Sequence, residues 1–377
     1  MSEFLRTKLC IQNALKKEVF PGAVFGVYYL NSEKKNDVFS FGNQKKIPTV
    51  ENMTDHTIFD LASLTKILGT TASVMRLIER GVLSWTTPVL KYFPQIKKKI
   101  TVEQLLSHTS GLPAWYAFYD DFRSYFETDD LWNISRKEKS DFIRKCVFEK
   151  EFISDPGSTV LYSDLGFLIL GFLIEEILET TLEDAFLDLV WKPMGIKGFH
   201  MNEIRDSVKN SIDPRYAATE NCPWRKGVLQ GQVHDDNTWA IGGIAGHAGV
   251  FGSVYDILKF CESIDKCFFS PKVLKESWKR MNFPRECVRA RGWDTPFSGY
   301  GKSTGEFRSE KTRGHLGFTG TSLWIDPINQ IAVTLLTNRV HPTRENDQII
   351  AFRPLFHNAV YADLFPKFGK IYDRMTI

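Results

Sequence analysis

Ile58-Phe59-Asp60-Leu61-Ala62-Ser63-Leu64-Thr65-Lys66 is the stretch of this 377-residue chain that decides its fold and chemistry. The run from Ile67 to Met75 that follows is apolar and helical in pattern, so Ser63 and Lys66 lie one turn apart on the same face. Serine is a weak nucleophile until a base removes its proton, and a partly desolvated lysine can be that base. The stretch therefore predicts acyl transfer through a covalent serine ester.

The spacing Ser-x-x-Lys occurs three times in the sequence, and only its context distinguishes the copies. Ser32–Lys35 lies in a polar turn, where nothing would lower the pKa of a lysine. Ser263–Lys266 lies near the end of an amphipathic segment beside two carboxylates, which would keep the amine charged. Only the copy at Ser63 opens an apolar helix, whose N-terminal N–H groups would face a developing oxyanion. We therefore predict that Ser63 is the nucleophile.

The composition is that of an ordinary globular protein, with 43% hydrophobic and 25% charged residues, and the length allows one or two domains. A net charge of +3, with no basic cluster interleaved with aromatics, argues against nucleic-acid binding. No stretch reaches transmembrane length and the N-terminus has no apolar leader, so we expect a cytoplasmic protein without a membrane span. The six cysteines show no metal-binding spacing and are expected to be reduced thiols. The oligomeric state stays open.

The order of predicted elements favours an α+β protein with a helical insertion. An amphipathic helix over residues 3–18, a strand pair at 23–42 and the helix over 63–80 come first. Residues 85–225 are mostly helical in pattern, and strands at 321–325 and 330–336 then precede a helix from about residue 347 to 364. We expect a sheet domain built from residues 1–85 and 226–377, an insertion domain at 86–225, and an active site in the cleft between them.

Two further motifs place chemically useful groups at predicted turns. Tyr162-Ser163-Asp164 precedes an apolar helix, and a tyrosine whose pKa is lowered by a neighbouring ammonium can relay a proton. Gly314-His315-Leu316-Gly317-Phe318-Thr319-Gly320 precedes a strand, where glycines would let a substrate approach and a backbone N–H could complete an oxyanion hole. Taken alone, the position of Tyr162 is more typical of a half-buried turn tyrosine, and the glycine-rich segment fits a hairpin corner about as well as an oxyanion site.

In this order the three motifs resemble the signature of the serine β-lactamase and penicillin-binding-protein superfamily, which is S-x-x-K, a Tyr- or Ser-led triplet, and K-T-G. The resemblance is nearest to the class C β-lactamase-related branch, with its family VIII carboxylesterases, D-aminopeptidases and D-alanyl-D-alanine carboxypeptidases. It extends to Leu105–Pro113, 242–253 and 318–327, and so covers the chain from about residue 20 to 340.

The resemblance implies a fold and a role for each motif residue. The fold would be β-lactamase/transpeptidase-like, with an antiparallel sheet flanked by the terminal helices. Ser63 would be the acylated nucleophile, Lys66 its proton acceptor, and Tyr162 the group that activates Ser63 and later the deacylating water. The backbone N–H groups of Ser63 and Phe318 would form the oxyanion hole. The substrate would be a small ester, peptide or β-lactam-like molecule, and the family needs no metal or other cofactor.

Departures from the signature bear on the substrate. Asp164 stands where many β-lactamases have Asn, and an ionised carboxylate cannot donate to a substrate amide. His315 replaces the Lys of K-T-G and removes a fixed positive charge at neutral pH, Leu316 removes the usual hydroxyl, and Gly317 is retained. We expect a hydrolase of esters or D-amino-acid-peptide-like amides with a less anionic substrate. A true β-lactamase or D-alanyl-D-alanine carboxypeptidase is the alternative.

Other interpretations stay open. Residues 301–305 read Gly-Lys-Ser-Thr-Gly and fit the G-x-S-x-G nucleophile elbow, although the strand–turn–helix context is missing. The spacing of His234 and His247 fits no standard zinc site. The resemblance implies that their segment borders the active-site cleft, where they would order a loop or contact the substrate. Trp115, in the aromatic run 115–126, could line the cleft or pack a helical lid. A catalytically weak module that binds peptidoglycan fragments would retain the fold without the chemistry.

Overall fold

The computed structural model describes residues 4–127, 134–203, 213–297 and 301–375. Its α-helices are α1 Leu5–Lys16, α2 Ala72–Glu79, α3 Val102–Leu106, α4 Phe118–Phe126, α5 Arg136–Glu149, α6 Asp164–Leu178, α7 Leu182–Phe186, α8 Asp236–Ala240, α9 Val254–Asp265, α10 Pro271–Trp278, α11 Ile349–Leu364 and α12 Pro366–Met375. Its strands are β1 Gly22–Tyr29, β2 Asp37–Lys45, β3 Glu51–Asn52, β4 Phe59–Asp60, β5 His200–Met201, β6 Ala218–Cys222, β7 Gly227–Gln230, β8 Val250–Gly252, β9 Arg313–Leu316, β10 Ser322–Asp326 and β11 Ile331–Thr337.

A six-stranded antiparallel sheet forms the base of the molecule, in the order β3-β2-β1-β11-β10-β9. At its centre, β1 and β11 pair Phe25 with Leu335 and Val24 with Leu336. Because side chains alternate between the faces of a sheet, these two pairs point to opposite sides. Both sides are covered, so β11 is buried along its whole length. The predicted α+β class, with the antiparallel sheet flanked by terminal helices, is confirmed.

Each face of the sheet has its own apolar core. Phe25 and Leu335 pack with apolar residues of α1 and α11. Val24 and Leu336 belong to the larger core, which includes α2, α9 and the helical middle of the chain. On that face Gly26 lets α9 approach closely, since a Cβ there would lie 2.6 Å from a methyl group of Val254. The sheet is therefore held rigidly between the two cores.

The segment that carries the predicted nucleophile is not one regular helix. A 3₁₀ turn at Ala62–Leu64 is followed by a π-helix at Lys66–Thr71, and α2 begins only at Ala72. The carbonyl of Leu68, inside the π-helix, accepts a hydrogen bond from the Trp191 indole N–H at 3.0 Å. The sequence predicts a continuous helix over 63–80, whereas the structure divides this stretch. A carbonyl that is bound from outside the helix is one of the features that accompany such irregular turns.

Short strands cross the predicted domain boundary. The hairpin of β6 and β7 spans residue 225, and β8 pairs with both β4 and β5. The sequence does not predict these strands, because segments of two to five residues are too short to show a period. The division into residues 86–225 and the remainder stays a prediction. None of the described helices is long and apolar enough to span a membrane.

Candidate active site

The turn before Ser63 is fixed by hydrogen bonds to neighbouring chain segments. Ala62 has a φ of 47°, a left-handed conformation that costs free energy in a non-glycine residue. Its N–H donates to the buried carboxylate of Asp60 at 2.9 Å, and the N–H of Leu61 donates to the carbonyl of Val250 at 2.9 Å. These contacts hold the backbone in the conformation that presents Ser63, whose side chain is partly accessible.

The structure brings together the three predicted catalytic side chains. Lys66 Nζ lies 2.9 Å from Ser63 Oγ, and Tyr162 Oη lies 3.2 Å from the same oxygen. The Lys66 ammonium also lies 5.1 Å from the centroid of the Tyr162 ring. The Ser63 hydroxyl is therefore within hydrogen-bond reach of two groups that can exchange protons with it.

Lys66 is fully buried, yet its pKa is not lowered. Burial by itself would lower the pKa of Lys66, but the charge of Asp164, whose Oδ1 lies 2.7 Å from Nζ, raises it above the ordinary value. The carbonyl of His247 accepts a further hydrogen bond from Nζ at 3.0 Å. The expectation that burial would lower the pKa of Lys66 is therefore wrong, because it left out the counter-ion. The role of Lys66 as proton acceptor stays a prediction.

The pKa of Tyr162 is also not lowered. Burial raises the pKa of Tyr162 to about 12, against the opposing effect of the Lys66 ammonium. The sequence-based expectation that a neighbouring ammonium would lower this pKa is wrong, because desolvation of the phenolate outweighs the ammonium charge. At neutral pH the group beside Ser63 therefore consists of a neutral tyrosine and a Lys66–Asp164 ion pair.

Asp164 lies at the start of α6 with its side chain directed to Lys66. Its backbone N–H donates to the carbonyl of Ala114 at 2.9 Å, and the preceding Ser163 hydroxyl donates to the carbonyl of Pro113 at 2.7 Å. These bonds join the first turn of α6 to the segment that carries Trp115. Asp164 therefore pairs with Lys66. Its predicted role in substrate binding stays a prediction.

A residue that the sequence argument did not single out supports Tyr162. The His108 ring lies 4.4 Å from the Tyr162 ring, centroid to centroid, and its Nδ1 accepts the N–H of Ser163 at 3.0 Å. Burial lowers the pKa of His108 well below its ordinary value, so the ring is neutral. His108 belongs to the block Leu105–Pro113 that carries the family resemblance, but its contact with Tyr162 is visible only in three dimensions.

The two predicted oxyanion donors belong to segments that are tied together. Thr319 and Thr321 donate from their hydroxyls to the carbonyls of Asp60 and Leu61, at 2.8 Å and 3.0 Å. The turn after β9 is thereby anchored to the residues that lead into Ser63. Within the described part of the chain, neither the N–H of Ser63 nor that of Phe318 donates to another residue. Both N–H groups are therefore available to a substrate oxygen.

His315 and Gly317 lie at the edge of the sheet beside this turn. His315 Nδ1 is 2.7 Å from the carbonyl of Leu316 and so carries the proton, which leaves Nε2 as an acceptor without a partner among the described residues. Burial lowers the pKa of His315 to about 4, so the side chain is uncharged at neutral pH. Gly317 has no room for a side chain, since a Cβ would overlap the Thr321 hydroxyl and the Leu61 carbonyl.

The residues predicted to border the cleft have different surroundings. His234 is buried and its ring stacks on that of Phe318, with centroids 5.7 Å apart. His247 is buried, with Nε2 2.9 Å from Asp235, and orients the carbonyl that binds Lys66. Trp115 is 48% exposed and follows the residue whose carbonyl binds the Asp164 N–H. Substrate contact by these three residues stays a prediction.

The described residues do not support the two alternative sites, a nucleophile elbow at Ser303 and a metal site. Ser303 lies on a short 3₁₀ turn, and its hydroxyl has no hydrogen-bond partner within the described residues. Residues 298–300, part of the flank considered for a nucleophile elbow, lie outside the described residues. Among residues 4–127, 134–203, 213–297 and 301–375, no group of three or more His, Cys, Asp or Glu side chains is arranged to hold a metal ion.

Comparison with known proteins places this geometry in a family. A family model described as beta-lactamase matches residues 8–354. A "Putative D-alanyl-D-alanine carboxypeptidase" of Salmonella agona (strain SL483) is 29% identical over 326 residues, or 78% of this chain and 72% of that protein. The solved structure of EstCE1, a hydrolase with promiscuous acyltransferase activity, has a TM-score of 0.71 at 18% identity and covers 94% of this chain and 97% of that chain.

A further structural likeness comes from an archaeal protein. The octameric penicillin-binding protein homologue from Pyrococcus abyssi has a TM-score of 0.69 at 21% identity, over 93% of this chain and 76% of that chain. At such identities the solved structures show the fold, whereas the family match covers most of the sequence. The resemblance inferred from the motifs is confirmed: this chain belongs to the beta-lactamase family and is a serine hydrolase.

Proposed function

We propose that the protein hydrolyses small esters or D-amino-acid-peptide-like amides through an acyl group carried by Ser63. The observation that carries the proposal is the position of Ser63 Oγ, within 2.9 Å of Lys66 Nζ and 3.2 Å of Tyr162 Oη. Two proton carriers on one hydroxyl are what acylation and deacylation both require, since each step moves a proton to or from that oxygen.

The Lys66–Asp164 ion pair determines the path by which the proton leaves Ser63. Lys66 Nζ passes a proton to Asp164 Oδ1, and as Ser63 Oγ bonds to the substrate carbonyl carbon, the now neutral Lys66 amine accepts the Ser63 proton. The carbonyl π electrons move to the oxygen, which the Ser63 and Phe318 N–H groups stabilise. When the carbon–leaving-group bond breaks, the leaving group takes a proton from Tyr162 Oη. Lys66 replaces that proton, and Asp164 returns its own proton to Lys66, which restores the ion pair. Water then repeats the sequence on the acyl-enzyme.

The charges around Ser63 favour a substrate without a carboxylate at the site. Two cations contact the Tyr162 ring, and each faces a carboxylate: Lys66 faces Asp164, and Arg289 faces Asp294. His315 is neutral and buried, and its Nε2 is an acceptor, so this position offers no positive charge to a substrate anion. Trp115 supplies an exposed apolar surface near Asp164 for an acyl group.

The second candidate is a D-alanyl-D-alanine carboxypeptidase, which the similarity to the named Salmonella protein over 78% of this chain favours. The substrate of such an enzyme ends in a carboxylate, and binding it would require an unpaired cation at the site. Lys66 and Arg289 are each already paired with a carboxylate. A β-lactamase faces the same requirement. The cytoplasmic location and the exclusion of nucleic acid expected from the sequence remain proposals.

The test is a substrate panel of 4-nitrophenyl esters, D-alanyl amides, D-alanyl-D-alanine peptides and nitrocefin. We expect the uncharged esters and amides to be turned over fastest, with a loss of about 10⁴-fold or more in Ser63→Ala. Ser303→Ala, the serine of the alternative motif, is the matched control and should retain wild-type rates. Faster turnover of D-alanyl-D-alanine peptides or nitrocefin would contradict the substrate class, and equal activity of Ser63→Ala would contradict the mechanism.

A further inference from the structure

We propose that Arg353 is a positioning residue for the oxyanion hole, because its buried guanidinium binds the peptide unit whose N–H belongs to Phe318. Arg353 lies on α11, far from Ser63 in sequence and outside every motif considered above. The inference rests on the proposed function, since it assumes that the Phe318 N–H stabilises the oxyanion of acyl transfer.

The geometry links the guanidinium to that single peptide unit. Arg353 Nη2 lies 3.0 Å from the carbonyl oxygen of Gly317 and 3.2 Å from that of Thr321. The N–H of Gly320 donates to the same Gly317 oxygen at 3.1 Å. The Gly317 carbonyl and the Phe318 N–H belong to one planar amide, so fixing the oxygen also fixes the direction of the N–H.

The charge of Arg353 also strengthens the donor. A hydrogen bond to an amide oxygen favours the resonance form with positive charge on nitrogen, and chains of hydrogen bonds polarise one another. A charged guanidinium does so more strongly than a neutral donor. The Phe318 N–H is therefore a better donor to a developing oxyanion than an amide whose carbonyl faces water.

Arg353 is a buried cation without a carboxylate partner among the described residues, which favours a role in the active site over a role in stabilising the fold. It is 6% exposed, it forms no ion pair with any described carboxylate, and its Nε has no hydrogen-bond partner among the described residues. A buried cation without a counter-charge destabilises a protein. Here it places a positive charge directly behind the proposed oxyanion donor.

A second arginine secures the other side of Phe318. Arg339 Nε donates to the Phe318 carbonyl at 2.7 Å, and its guanidinium lies 4.3 Å from the centroid of the Phe318 ring. The peptide units before and after the Phe318 α-carbon are thus both bound by arginines. Arg353 is the one that acts on the unit containing the N–H, and the proposal concerns that residue.

The experiment compares wild type with Arg353→Met, Arg353→Lys and the control Arg313→Met. Arg313 is also a buried arginine that donates to backbone carbonyls, those of Trp278, Glu310 and Thr312. Two quantities are measured: kcat and KM for 4-nitrophenyl butyrate, and the inhibition constant of butylboronic acid, whose tetrahedral serine adduct occupies the oxyanion hole. Thermal melting establishes that each variant is folded.

We expect Arg353→Met to lower kcat about tenfold with KM changed less than threefold, because removing a whole oxyanion donor costs 10²–10³ and this change only weakens one. The inhibition constant of the boronic acid should rise by a similar factor, Arg353→Lys should fall between, and Arg313→Met should leave both unchanged. If Arg353→Met does not fold, Arg353→Lys carries the test. Wild-type kcat and inhibition in the folded Arg353 variants, or equal losses in Arg313→Met, would overturn the proposal. No hydrolysis and no boronic acid inhibition in wild type would instead overturn the proposed function.

Discussion

The proton-transfer groups and the proposed oxyanion donors lie on two sides of Ser63, and they differ in whether the buried charges are paired. On the proton-transfer side, the Lys66 ammonium and the Asp164 carboxylate are 2.7 Å apart and their charges cancel. On the oxyanion side, the buried Arg353 forms no ion pair with any described carboxylate. This difference indicates that Lys66, Asp164 and Tyr162 can exchange protons while their total charge stays zero. The oxyanion side holds a positive charge behind the proposed oxyanion donor, where negative charge would develop during acyl transfer.

The largest effect should come from breaking the proton-transfer side at Tyr162. Tyr162→Phe removes the hydroxyl that lies 3.2 Å from Ser63 Oγ, and with it the proton that is returned to Ser63 when water hydrolyses the acyl-enzyme. We expect kcat for 4-nitrophenyl esters to fall by about 10²–10⁴, the range typical of general acid–base catalysis. Tyr125→Phe, an exposed tyrosine on α4, is the control and should be unaffected. Wild-type kcat in Tyr162→Phe would exclude this role.

The oxyanion side can be broken at one backbone atom. Phe318→Pro removes the N–H itself, and we expect a loss of about 10²–10³ in kcat, the usual effect of removing one oxyanion donor. Phe318→Ala keeps the N–H and removes only the ring, so its kcat should stay within about threefold of wild type. Circular dichroism checks that both variants fold. Equal losses in the two variants would show that the ring, not the N–H, matters.

Asp164→Asn and a pH–rate profile test whether Asp164 both compensates the charge of Lys66 and accepts its proton. Without the carboxylate, burial dominates and the pKa of Lys66 falls, but the ion pair no longer supplies a proton acceptor. We expect activity at pH 7 to drop by about tenfold to a hundredfold and then to rise with pH as Lys66 deprotonates. Unchanged or higher activity at pH 7 would show that Asp164 is only a counter-charge.

The smallest effect concerns His315 on the oxyanion side and appears in stability. Its pKa is about 4 in the folded protein and about 6.5 when unfolded, so the unfolded chain binds the proton first. This contribution to stability is full above pH 6.5 and is lost as the pH falls toward 4. The loss amounts to about 2 kcal/mol at pH 5. Urea unfolding should show that His315→Gln removes this pH dependence, whereas His56→Gln, at an exposed histidine, should not.

The same comparison shows how far the sequence predicts the site. The apolar context of Ser63 separates it from Ser32 and Ser263, and the order of the motifs adds Tyr162 and the turn at 314–320. Spacing along the chain carries this information, because Ser63 and Lys66 belong to one helical turn. The apolar runs of β1, β10 and β11, each bounded by turn residues, likewise predict the central sheet.

What the sequence does not predict depends on distances between remote segments. The pKa of Lys66 is raised by Asp164, 98 positions along the chain, and no local pattern reports that contact. Arg353 looks like an ordinary helical arginine until α11 is packed behind Gly317. The π-helix at Lys66–Thr71 likewise receives a hydrogen bond from Trp191, which lies in a different part of the chain.

The central claim is that Ser63 becomes covalently acylated, and a fluorophosphonate probe followed by peptide mass spectrometry tests it most directly. The account predicts a single adduct on the peptide that contains Ser63, at full strength in Ser303→Ala and absent in Ser63→Ala. An adduct on another residue, or a protein that binds substrate analogues without any adduct, would contradict it.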